Sequence, residues 1–165
     1  MKKFSFLLLS LLVALTSCKS HKEDYKYVDN QLNEAIKCCC QINEAYATVS
    51  QVLNSANFGQ LCEFAGWPKN YGSAIQIRAN GTYNYCREVE YYLDNAIIGA
   101  NKCNDKELNR AIESAREEIR RAIDESNLAR NASSMDNYEK NMNNALSKVN
   151  STIKQIQSAT RLIKH

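Results

Sequence analysis

Histidine is almost missing from this chain of 165 residues: the two copies are His21, near the start, and His165, the last residue. That scarcity leaves no Ser-His or Cys-His pair in the body of the chain, and no Glu-x-x-His pattern of the kind that builds di-iron centres in helical bundles. Glycine-rich phosphate loops are absent too, and no Cys-x-x-Cys pair marks a zinc, haem or redox site. No uncharged apolar run reaches the roughly 20 residues that a membrane-spanning helix needs. No catalytic residue, cofactor or metal-ligand set therefore stands out, and the sequence is not read as that of an enzyme.

What is present begins at the amino terminus. Lys2 and Lys3 precede an apolar core of 12 residues from Phe4 to Leu15, which closes on Leu15-Thr16-Ser17-Cys18. A basic start, a short apolar core and small residues before a cleavage point are the layout of a secretory signal. With Cys18 in place, these residues resemble the lipobox of bacterial lipoproteins. That resemblance implies cleavage by signal peptidase II between Ser17 and Cys18, after a diacylglycerol thioether has formed on Cys18, and acylation of the new amino terminus. Residues 1–17 then form the signal peptide, and attachment to the membrane falls to the acyl chains. One chain contributes about 0.8 kcal/mol per buried methylene and holds only marginally, whereas two or three anchor durably.

Residues 18–27 read as the lipidated cysteine and a polar tether. Lys19 stands where an Asp would retain an enterobacterial lipoprotein in the inner membrane, so the resemblance implies the outer membrane. Lys22-Glu23-Asp24 resembles the short Lys-acid-acid signals that send some lipoproteins to the cell surface, which leaves the periplasmic and surface faces both open. Removing Lys2 and Lys3 with the signal reduces 21 basic side chains to 19, against 18 acidic ones. A nearly neutral chain does not suit nucleic acid or polybasic attachment to anionic lipid.

From Val28 onward, small or apolar residues recur at alternating steps of four and three. The first series runs Val28, Leu32, Ala35, Cys39, Ile42, Tyr46, Val49, Leu53 and Ala56, and the second Cys86, Val89, Leu93, Ala96, Ala100 and Cys103. A third runs from Leu108 to Ala129, and a fourth from Met135 through Tyr138, Met142, Ala145, Val149, Ile153, Ile156 and Thr160 to Ile163. Such spacing keeps one stripe of a helix facing a partner. Asn104 is expected to cap the third helix, with Glu107 reaching back, and Ser133 or Ser134 the fourth, with Asp136 near its positive end. Short links make neighbours antiparallel. The expected fold is thus all-α, an up-down four-helix bundle with coiled-coil-like seams over residues 28–165.

One stretch interrupts the pattern. Residues 57–81 hold four of the five glycines, the only proline (Pro68) and the only tryptophan (Trp67), along with Phe64 and Tyr71. Connections longer than about 15 residues are uncommon unless they are functional or packed in their own right. Two readings remain for this loop between helices one and two: a plug for the open end of the bundle, or a partner site anchored by Phe64, Trp67 and Tyr71.

Six cysteines follow Cys18, at positions 38, 39, 40, 62, 86 and 103. In an exported protein an even number suggests disulfides. With helices one and two antiparallel about a loop centred near residue 69, Cys103 is expected near the level of the Cys38 to Cys40 run and Cys62 near Cys86. That makes Cys39, Cys103, Cys62 and Cys86 the disulfide candidates among the several connectivities that six cysteines allow. The alternative is soft-metal binding by thiolates, but three adjacent cysteines point about 100° apart on a helix and cannot all meet one ion. The expected function is a membrane-anchored, non-enzymatic envelope lipoprotein that binds a protein as adaptor, inhibitor or immunity-type factor. The alternative is a thiol-based metal or redox protein of the envelope.

Overall fold

A computed structural model describes the backbone over residues 2–53 and 71–163, and side chains over 21–47 and 78–163 except Met135. Within these residues the chain is four helices: α1 (Lys2–Leu53), α2 (Tyr71–Lys102), α3 (Lys106–Arg130) and α4 (Met135–Thr160). Each packs along the next, and α1 meets α4 over a smaller area to close the ring. Neighbours are antiparallel: Tyr46 lies beside Arg78 and Tyr25 beside Asp105, while Glu90 reaches Arg120 and Glu118 reaches Lys148. The all-α four-helix bundle expected from the spacing is the fold.

The core is built from the stripe that the spacing marks. Val28, Leu32, Ala35, Cys39 and Ile42 of α1 are buried against Cys86, Val89, Leu93, Ala96 and Ala100 of α2 and against the α3 stripe from Leu108 to Ala129. On α4 the stripe differs by one position in its second half: Thr152 and Ala159 are fully buried, and Ile153 and Thr160 are only partly so. A strict alternation of threes and fours from Met142 gives 145, 149, 152, 156 and 159. The larger aliphatic at 153 lies just off that line. Thr152 tolerates burial because its hydroxyl donates to the Lys148 carbonyl at 2.9 Å.

The turn between α2 and α3 corrects the expected cap. Asn104 has φ 53°, the left-handed region that Asn tolerates better than most side chains. It closes α2: Asn104 N–H donates to Asn101 O at 3.1 Å, and Asp105 N–H to Ala100 O at 3.4 Å. This paired pattern satisfies the last carbonyls of a helix. Asp105, not Asn104, then caps α3, its Oδ1 accepting from Leu108 N at 3.0 Å. Ser134 caps α4 as expected, accepting from Asn137 N at 3.3 Å.

Two further expectations change. The polar stretch 18–27, expected as a tether, is helical, because α1 runs through it without a break. No glycine or proline occurs before Gly59 to stop a helix. The connection between the first two helices also ends earlier than Gly81, since α2 begins at Tyr71 and takes in Gly72 and Gly81. Residues 57–70 of the expected loop lie outside the described residues.

Candidate functional site

Of the residues expected to bind a partner, Phe64 and Trp67 lie outside the described residues, and Tyr71 opens α2 with its side chain undescribed. Cys18 lies within α1, and its side chain too is outside the description.

The cysteines are arranged differently from the expected bridges. Cys38, Cys39, Cys40, Cys86 and Cys103 are free thiols, and Cys62 lies outside the described residues. Cys39 and Cys86 are both fully buried and neighbour each other across α1 and α2. Cys103 instead lies beside Asp24, 15 residues before Cys39 and so about 22 Å along α1 at 1.5 Å per residue. A disulfide needs Cα atoms within about 7 Å. The mismatch is one of register: with α2 starting at Tyr71, the two helices mirror about a point nearer residue 63 than 69.

Burial pushes the Cys39 thiol far above its ordinary range, with the neighbouring Cys86 adding to the effect. It pushes Cys86 up to about 12, partly offset by a hydrogen bond with Ser126. Cys38 is raised by burial and then by Glu88 and Glu34. Thiols held protonated in a core are poor nucleophiles. Only Cys40 among these is exposed.

At the end of the bundle next to Cys18, α1 meets the α2–α3 turn. His21 and Asp24, three residues apart on α1, project towards Cys103, and one imidazole nitrogen, one carboxylate oxygen and the thiol sulfur all lie within 4.8 Å of one another. His21 Nδ1 is buried and has no hydrogen-bond partner. Alongside, the Tyr25 hydroxyl donates to Asp105 Oδ2 at 2.9 Å, the oxygen not used in the helix cap. Burial and then this bond push the Tyr25 phenol up to about 12. The Cys103 thiol is raised by burial, then by the Asp24 and Asp105 carboxylates.

Sequence reasoning placed His21 in a tether and so missed this cluster. The signal was available: carrying the seam back from Val28 by four and then three residues reaches Asp24 and His21. Elsewhere, a shallow groove along α4 is lined by Asn143, Leu146, Ser147, Asn150, Ser151 and Lys154. Its α1 side is marked by hydrogen bonds from Asn43 to Asn150 at 3.0 Å and from Tyr46 to Asn143 at 3.3 Å. Among the described residues no helix is long and apolar enough to cross a membrane. Comparison of the chain with family models, with curated proteins and with solved structures returned no match.

Proposed function

We propose that this protein is a bacterial envelope lipoprotein, held by acyl chains on Cys18 to the outer membrane, whose helical bundle binds another protein without catalysing a reaction. The observation that carries the reading is the run Leu15-Thr16-Ser17-Cys18 after a basic start and a 12-residue apolar core. The packing supports it. Leu32, Leu93, Ile112, Ile119 and Ile156 fill the space between the helices, where bundle enzymes place their reacting groups. Glu90, the buried acid, is committed to Arg87 and Arg120 at 2.6 and 2.7 Å.

The partner surface is proposed around Phe64, Trp67 and Tyr71, between α1 and α2, because aromatic rings on a connection make effective interface anchors. Capture of a crosslinked partner from intact cells tests it. With Trp67 and Tyr71 replaced by Ala, capture should fall while helicity and membrane attachment stay unchanged. Undiminished capture would refute the partner site, and a loss of helicity would place the rings in the core. Adaptor, inhibitor and immunity-type roles then separate by the identity of the captured protein.

A further inference from the structure

We infer that His21, Asp24 and Cys103 form a binding site for a divalent transition metal ion, best suited to Zn(II), which ties the start of the bundle to the turn between α2 and α3. The inference does not depend on lipidation of Cys18 or on the proposed partner surface.

The donor set is the first support. An imidazole nitrogen, a carboxylate oxygen and a thiol sulfur converge within 4.8 Å, from two separate parts of the chain. Nitrogen, oxygen and sulfur ligands together are characteristic of zinc, which accepts all three and favours four-coordinate tetrahedral sites. Calcium and magnesium prefer oxygen alone, and Cu(I) prefers softer sets without carboxylate. Bond lengths of about 2.0 to 2.3 Å set tetrahedral ligand-to-ligand edges near 3.5 Å, so the three donors need to close by no more than about 1 Å, which side-chain rotation can supply. Water would supply the fourth ligand.

The second support is independent of the count of donors. His21 Nδ1 is buried yet makes no hydrogen bond. A buried polar atom left without a partner is costly and calls for an explanation. A cation coordinated at that nitrogen would supply one, since a neutral imidazole nitrogen, Nδ1 or Nε2, is a good zinc ligand. The charge around it has the matching sign: Asp24 and Asp105 both lie near the Cys103 thiol. Asp105 stays outside the ligand set because its two oxygens already serve Leu108 N and the Tyr25 hydroxyl. It acts instead as a fixed neighbouring charge that holds the turn carrying Cys103.

Binding is a substitution at the ion: water leaves the metal, the Cys103 S–H proton passes to solvent, and the thiolate takes the vacated position with no change in oxidation state. The outcome is a cross-link between α1 and the turn at residues 103–105. Metal-free protein should fray first at that end.

Titration with Co(II), an optical stand-in for Zn(II), tests the site. The full chain, purified from its host cells, reduced and stripped by chelator, should develop a thiolate-to-metal charge-transfer band that saturates at one equivalent and disappears on adding Zn(II). Cys103→Ser should abolish the band. His21→Gln should weaken Co(II) binding by more than the roughly 10- to 100-fold that losing an outer-sphere partner costs. Cys40→Ser, at the exposed thiol, should leave the titration unchanged. Circular dichroism checks each variant, and the His21→Gln comparison stands even if Cys103→Ser folds poorly. Failure of the unmutated chain to give the band, or a band that survives Cys103→Ser or His21→Gln at full affinity, overturns the site.

Discussion

The same substitution, glycine to alanine, should have opposite effects at two positions of α2. In a helix interior Ala is favoured over Gly by about 1 kcal/mol, because Gly loses more backbone freedom on folding. At Gly81 an added Cβ would meet nothing within 4 Å, so Gly81→Ala should realise that gain in full. At Gly99 the added Cβ would fall 2.7 Å from Val28 Cγ2 and 3.0 Å from Tyr27 Cδ1. Ordinary carbon contacts are about 3.5 to 4.0 Å, so about 1 Å of movement is required. Val28 is fully buried, and its branched Cβ leaves it little rotational choice. Overpacking of this kind costs roughly 1 to 3 kcal/mol. Set against the propensity gain, Gly99→Ala should be destabilising by about 1 kcal/mol. For a domain near 150 residues, midpoints should then move by about 3 °C, upwards for Gly81→Ala and downwards for Gly99→Ala. Urea denaturation gives the free energies directly. In a double-mutant cycle, Val28→Ala should cost less in the Gly99→Ala background than in the parent, because it removes the obstructing methyl groups. A stabilising Gly99→Ala, or a cycle with no coupling, would show that α1 and α2 do not approach closely at this level.

The remaining predictions concern charge, thiols and anchoring. Glu90→Ala should cost only about 1 to 2 kcal/mol, since Arg87 and Arg120 return to water, whereas replacing both arginines should cost about 3 to 5 kcal/mol by stranding a buried carboxylate. The exposures behind this asymmetry are 10% for the Glu90 side chain against 58% and 49% for the two arginines. Equal losses on urea denaturation would contradict it. Alkylation followed by mass spectrometry should modify Cys40 first, with Cys39 and Cys86 reacting only on unfolding, because burial holds those two protonated. Rapid labelling of Cys86 in folded protein would count against the packing. Finally, Cys18→Ala should move the protein from the membrane fraction to the soluble one. A variant that still pelleted and resisted a salt wash would remove the basis for a lipid anchor.

The seams were legible because a buried stripe leaves its period in the sequence, and residues such as Leu32, Leu93 and Ile112 lie on that line. Three things were not legible, each for a physical reason. Ile153 outranks Thr152 in hydrophobicity, but Thr152 faces the core because helix geometry fixes direction and a hydroxyl can be satisfied by the preceding turn. Gly72 and Gly81 read as breaks, yet a long helix held by packing tolerates a cost of about 1 kcal/mol at each. That misreading moved the register of α1 against α2 and with it the partners of Cys39 and Cys103. The His21 cluster was hidden because polarity was equated with lack of structure. A seam that changes from aliphatic to polar side chains continues to obey the same spacing.

The unbroken course of α1 also bears on mechanics. A flexible leader would act as a swivel and let the bundle tumble freely above its attachment point. Here Cys18 and Val28 lie on one rod, about 15 Å apart at 1.5 Å per residue. If the lipid is on Cys18, the inclination of that rod to the bilayer is passed directly to the other three helices, as the mast of a boat passes its heel to everything fixed upon it. The bundle would hold a set azimuth and height above the lipid, and a ligand at the Leu53 end would be met from one direction. Inserting a few glycines between Lys19 and His21 would restore the swivel.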